Sequence, residues 1–207
     1  MMRIPIAKEA LKFAVPLVFL CAVMLMIHPA LSSLVFVALI LVLLFFRDPK
    51  RNAAHDPSSI VSPADGKVIQ IRRVQDGVDS WNLLSIFMSP LNVHINYAPV
   101  EGRVLEVTHR RGSFVRADRS DASTCNESNT LVIQGQKIRV IMKQIAGILA
   151  RRIVCYSREG DVLKSGQKIG LIQFGSRVDL YLPISIEMNV KIGDKVKGGA
   201  SILAVVG

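Results

Sequence analysis

A mainly β domain, a sandwich or flattened barrel of short antiparallel strands behind an N-terminal apolar helical hairpin, is what this 207-residue sequence predicts. Three observations predict it. Between Phe13 and Phe46 the one side chain able to carry charge is His28. From Arg47 onward, turn residues recur at short intervals and separate brief runs rich in branched side chains. A Gly-Asp pattern then appears twice near the C-terminus, each time ahead of such a run.

The apolar segment falls into two runs, Phe13 to Ile27 and Ala30 to Phe46, parted by His28-Pro29. Each is short of the roughly 20 residues that cross a hydrocarbon core comfortably, and together they are too long for one span. Pro29 interrupts a helix at the join, so the reading is a hairpin with His28 as a turn residue. A single kinked span is the alternative. A removable signal peptide does not fit, because a second apolar run follows without a small-residue cleavage pattern. Arg3, Lys8 and Lys12 precede the runs, and Arg47, Lys50 and Arg51 follow them. Positive charge on both flanks places both on the cytoplasmic side. Residues 1–46 are therefore expected to anchor a domain of residues 47–207 at the cytoplasmic face of the cell membrane.

In that domain Asp48-Pro49, Asp56-Pro57, Pro63-Ala64-Asp65-Gly66, Asp76-Gly77, Glu101-Gly102, Arg111-Gly112 and Glu159-Gly160 read as turns. Lys67 to Ile71, Leu83 to Met88, Thr130 to Ile133 and Ile138 to Met142 read as strands between them. Gln144 to Arg151 reads as a brief helix weakened by Gly147. The repeat sets Gly160-Asp161-Val162-Leu163-Lys164-Ser165-Gly166 beside Gly193-Asp194-Lys195-Val196-Lys197-Gly198-Gly199, with strands expected at Lys168 to Gln173 and Ile202 to Val206. The pattern resembles the turns of biotinyl and lipoyl carrier domains. No Met-Lys attachment tip accompanies it, so it speaks to architecture and not to carrying.

The net charge is +10, from 26 basic and 16 acidic residues. An anionic membrane surface suits this charge, and so would nucleic acid. Sparse aromatics and the lack of a basic helix interleaved with them argue against nucleic acid. Cys21, Cys125 and Cys155 are odd in number and widely spaced, which argues against a disulfide framework or a structural zinc site and for a reducing compartment. No metal is expected. Arg110-Arg111 and Arg151-Arg152 read as solvated basic surface.

Phe174-Gly175-Ser176-Arg177-Val178-Asp179 would pass, taken alone, for a tight turn between strands. Its company changes the reading. Ser62-Pro63-Ala64-Asp65-Gly66-Lys67-Val68 comes first, followed by Ile86-Phe87-Met88-Ser89-Pro90-Leu91-Asn92-Val93-His94. Asn126-Glu127, Gln144-Ile145-Ala146-Gly147 and Ala150-Arg151-Arg152-Ile153-Val154 follow, and Gly166 to Asp179 closes the set. In this order the motifs resemble the pyruvoyl-dependent phosphatidylserine decarboxylases, in their short prokaryotic subtype, from about Arg47 to the C-terminus.

The resemblance implies a proenzyme that cuts itself between Gly175 and Ser176 into fragments 1–175 and 176–207, which stay together as a two-chain heterodimer. Ser176 becomes a pyruvoyl group, the covalent cofactor. That group forms a Schiff base with phosphatidylserine, and loss of CO₂ leaves phosphatidylethanolamine, a lyase step of phospholipid biosynthesis. The resemblance makes His94 the general acid that reprotonates the substrate. Asp65 becomes an orienter of a base or a participant in cleavage, and Arg177 a ligand for substrate phosphate or carboxylate. One departure matters. Long-form members have a second His three positions after the first, where this chain has Tyr97, so an Asp-His-Ser triad does not carry over. Long forms also read Gly-Ser-Thr where this chain has Gly175-Ser176-Arg177. Two rival readings stand beside this one: the same chemistry on an archaeal ether-linked serine lipid, and a non-catalytic membrane scaffold. The sequence leaves the oligomeric state open, a homo-oligomer included.

Overall fold

The computed structural model describes residues 5–51, 56–76, 79–148, 152–173 and 175–207. Arg3, Gly77 of the Asp76-Gly77 turn, Ala150, Arg151 and Phe174 lie outside the described residues. The chain divides into two compact units, Met1–Lys50 and Arg51–Gly207.

The first unit is a helical hairpin of α1 (Leu11–Ile27) and α2 (Pro29–Phe45). Unbranched and branched apolar residues fill both helices. His28 stands between them in extended conformation (φ −152°, ψ 91°). Pro29 occupies the first turn of α2, where its missing N–H costs nothing. The chain returns to its start, since the Ala7 N–H donates to the Phe46 carbonyl (2.8 Å) and the Asp48 N–H to the Pro5 carbonyl (2.7 Å). The segment is thus a hairpin and not one kinked rod. Lys8–Ile27, 20 residues of mean hydropathy 2.5, is long and apolar enough to cross a membrane; Pro29–Phe45 is shorter.

The second unit bears out the mainly β expectation. Its strands are β1 (Ser59–Val61), β2 (Gly66–Asp76), β3 (Asp79–Met88), β4 (Ile95–Tyr97), β5 (Gly102–Arg110), β6 (Ser128–Gly135) and β7 (Arg139–Ile145). They continue with β8 (Ile153–Cys155), β9 (Val162–Leu163), β10 (Lys168–Ile172), β11 (Ser176–Pro183), β12 (Lys195–Val196) and β13 (Ile202–Val205). A curled eight-stranded sheet has the order β12-β2-β3-β11-β7-β6-β5-β9, accompanied by a three-stranded sheet β4-β10-β8 and the pair β1-β13. All of these ladders are antiparallel.

Period-2 alternation decides the faces. Along β11, Val178, Leu180 and Leu182 enter the core with Leu84, Ile86 and Met142, while Arg177, Asp179 and Tyr181 point to the other face. Each such fully buried aliphatic contributes about 1.5–3 kcal/mol.

The Gly-Asp repeat belongs to a larger internal symmetry. Gly160 and Gly193 both have positive φ (89° and 102°), as do Gly166 and Gly199 (71° and 65°). Asp161 accepts from the Arg158 N–H as Asp194 accepts from that of Lys191. The Gly160 N–H donates to the Val104 carbonyl and the Gly193 N–H to that of Val68. These contacts match Pro63-Ala64-Asp65-Gly66-Lys67-Val68 with Pro99-Val100-Glu101-Gly102-Arg103-Val104, and β12 pairs with β2 as β9 pairs with β5. The dyad is reciprocal at its centre, where Tyr97 N–H donates to Pro63 and Val61 N–H to Pro99.

The brief helix expected at Gln144 to Arg151 is not present in its described part. Gln144 and Ile145 close β7, paired on both sides with β11 and β6. Two ladders outweigh the modest helix propensity of so short a run. The helix of this region lies earlier, as α3 (Ala122–Cys125).

Candidate active site

Ser176 opens β11 opposite Met88 of β3 and is wholly buried. Its hydroxyl donates to the Met88 sulfur at 3.3 Å. Gly175, just before it, has φ +56°, a conformation that favours glycine. A Cβ there would meet nothing within 4 Å, so the demand is conformational and not spatial. At Gly147 the demand is spatial. A Cβ on Gly147 would lie 2.1 Å from the Gly175 carbonyl oxygen. The backbone of residue 147 is therefore a wall against the carbonyl of the Gly175-Ser176 bond.

Asn126 holds that wall. Its buried amide donates to the carbonyls of Ala146 (2.7 Å) and Val115 (2.8 Å), and its oxygen accepts from the Val115 N–H (2.9 Å). The Ala146 N–H returns a bond to the Glu127 carbonyl at 2.9 Å. The motifs Asn126-Glu127 and Ala146-Gly147 are thus halves of one device.

His94 is buried, and its carbonyl accepts from the Ile172 N–H at the end of β10, three residues before Gly175. Asn92 shapes the approach, since its side-chain oxygen accepts from the Ser89 N–H and hydroxyl. Nδ1 of His94 lies 2.9 Å from the Asn92 carbonyl. A carbonyl only accepts, so Nδ1 carries the hydrogen in this contact.

Asp65 and Arg177 each engage partners other than Ser176. Both oxygens of Asp65 are 2.7 Å from Arg51 Nη2, and Oδ1 also accepts from the Gly198 N–H at 2.7 Å. Burial works against the Arg51 charge, but Tyr97 and Asp65 outweigh it and raise its pKa. The Tyr97 ring packs under Gly198 and Gly199. This group stands at the Tyr97 end of β4, three extended residues or about 10 Å from His94. Tyr97, at the position of the missing second His, thus works with Asp65 and Arg51. Arg177 lies on the face of β11 opposite Ser176. Its guanidinium, 1% exposed, binds Asp179 (2.5 and 3.0 Å), Ser85 (2.9 Å), Gln70 (3.2 Å) and the Arg119 carbonyl (3.2 Å). To hold substrate beside Ser176 it would have to leave these partners.

Beside them on that outer face, burial and then Arg110 lower the Lys143 pKa against the pull of Asp179. Burial and then Asp179 push the Tyr181 phenol up. Sequence reasoning missed the polar residues beneath Ser176: Asn96, Gln144 and Asn129, all buried and hydrogen-bonded in series. A buried amide in a strand gives no periodic signal, so only the motif company of Gln144 pointed toward it.

Comparison with known proteins gives the chain its family. The phosphatidylserine decarboxylase family model matches residues 39–204. A phosphatidylserine decarboxylase proenzyme of Desulfotalea psychrophila is 41% identical over 97% of this chain and 96% of its own length. Those of Geotalea uraniireducens and Cupriavidus pinatubonensis are 40% and 45% identical, over 97% and 79% of this chain and 96% and 77% of their own lengths. The chain belongs to the phosphatidylserine decarboxylase family, a family of carboxy-lyases.

Proposed function

We propose that the chain is a proenzyme that splits itself between Gly175 and Ser176, and that the product converts phosphatidylserine to phosphatidylethanolamine. One observation carries the reading: the Ser176 hydroxyl is buried next to a left-handed Gly175 whose carbonyl is pressed by Gly147. Ser176 Oγ attacks the Gly175 carbonyl carbon, the C–N bond breaks and an ester forms. Loss of the Ser176 α-proton then breaks the Cβ–Oγ bond, and Gly175 leaves as a carboxylate. Water releases the residue-176 nitrogen as ammonia, leaving a pyruvoyl group. That conversion removes a hydroxyl whose partner is a thioether, so it strands no charged partner; the residues fit the group. Once formed at position 176, the pyruvoyl group would supply an electrophilic ketone for the substrate amine and a sink for the electrons released as CO₂ departs. His94 returns a proton to the former α-carbon.

The small fragment stays in place after the cut. β11 lies between β3 and β7, β12 pairs with β2, and β13 with β1, so every strand after Ser176 pairs with one before Gly175. Asp65 adds the bond to Gly198 across the two fragments. The apolar hairpin holds the enzyme on the cytoplasmic face of the cell membrane, where its positive charge favours anionic lipid.

Intact mass spectrometry of the purified protein tests the reading. Two masses meeting at 175/176, the smaller bearing pyruvoyl, are expected; a single full-length mass would refute it. Gly147→Ala should slow the appearance of fragments. A readjustment costing about 1.4 kcal/mol at the carbonyl is a factor of about ten in rate, measured as full-length chain remaining over time. Equal rates would mean that the wall has no part in cleavage. Deleting residues before Arg47 should release the protein from vesicles in high salt, where screening removes the contribution of surface charge. Sedimentation with the vesicles at undiminished yield would argue against the anchor.

A further inference from the structure

We propose that a buried amide relay, Asn129–Gln144–Asn96, acts through the Met88 sulfur to hold the Ser176 hydroxyl in its attacking rotamer. The proposal rests on the self-cleavage reading above. Asn129 Nδ2 donates to Gln144 Oε1 at 3.0 Å, and Gln144 Nε2 donates to Asn96 Oδ1 at 2.8 Å. With its oxygen so engaged, Asn96 turns Nδ2 toward the Met88 sulfur, 3.7 Å away. The same sulfur accepts the Ser176 hydroxyl at 3.3 Å. Asn96, Gln144, Met88 and Ser176 are all 0% exposed, and Asn129 is 3% exposed.

Three features make this more than filling. Side-chain amides in an apolar core are costly unless paired, and these are paired in series across β6, β7 and β4 toward β3 and β11. A thioether only accepts, so the donor end of Asn96 faces it and the whole relay has one polarity. A hydroxyl whose hydrogen is directed to sulfur keeps its oxygen lone pairs for another direction, and the Gly175 carbonyl is its chain neighbour. Asn129, Gln144 and Asn96 are therefore positioning residues for cleavage. Because Ser176 loses its hydroxyl in maturation, the relay has nothing to orient afterwards. That asymmetry separates positioning from general support.

The test follows two readouts on the full-length protein: the rate at which precursor splits, and CO₂ release per pyruvoyl-bearing fragment. Met88→Leu keeps the volume and removes the acceptor. Losing one hydrogen bond of ordinary strength should slow splitting roughly three- to tenfold. Asn96→Leu keeps the volume and removes the donor to the sulfur, and should slow splitting about tenfold. The double variant should be no slower than the slower single, because the two act as a unit. Turnover per matured chain should stay within about twofold of the unsubstituted enzyme, since the hydrogen bond tested no longer exists. The proposal is overturned if both variants split at the unsubstituted rate, or if turnover per matured chain falls in step with splitting. Thermal unfolding of each variant identifies one that fails to fold, and the other then decides. Failure of the unsubstituted chain to split would remove the self-cleavage reading itself and, with it, the relay.

Discussion

Ser176→Ala should yield one full-length chain that never splits and releases no CO₂. The reason is local. Cleavage needs an oxygen on the β-carbon of residue 176, first to attack and then to leave with the Gly175 acyl group, and alanine supplies neither. The fold should survive, because β11 keeps its ladders to β3 and β7 and loses one contact to a sulfur, a cost of about 1 kcal/mol. The measurement is denaturing electrophoresis with intact mass, beside a thermal unfolding curve. A variant that is folded and yet cut at the same bond would show that another group attacks. The loss of activity should be complete and not graded, which distinguishes this position from every positioning residue around it.

Much of the fold is legible in the sequence. The charge-free run with its Pro29 break gave the hairpin, and turn residues between branched runs gave the antiparallel strands. What stayed hidden did so for physical reasons. Pro63 to Val68 and Pro99 to Val104 share turn chemistry but little identity, so the second half of the internal symmetry shows only in its hydrogen bonds. Gln144 sits in a segment with helical residues, and two neighbouring ladders hold it as strand. Arg177 adjoins Ser176 in sequence, yet the strand period sends it to the opposite face, into a buried pair with Asp179. The Asp65 carboxylate joins Arg51 to Gly198, partners that turn chemistry alone does not reveal. Adjacency along a strand is a poor guide to adjacency in a site.

His94→Ala should separate the two chemistries proposed for the chain. The His94 ring is buried and its Nδ1 donates to the Asn92 carbonyl, which fixes the ring's orientation. Decarboxylation creates a carbanion that must be protonated, and losing a positioned general acid costs on the order of 100-fold or more. Self-cleavage generates no such carbanion from CO₂ loss, and its attacking hydroxyl is held by Met88. The variant should therefore still give two fragments, with CO₂ release per pyruvoyl-bearing fragment lowered about 100-fold. His94→Gln, which keeps an amide in the space of the ring, controls for the cavity that alanine leaves. Both measurements belong on the same preparation, because a lower fragment yield alone would mimic a loss of turnover. A folded His94→Ala chain that remains uncut would place the ring in the cleavage machinery. The proton for the substrate would then have to come from another group.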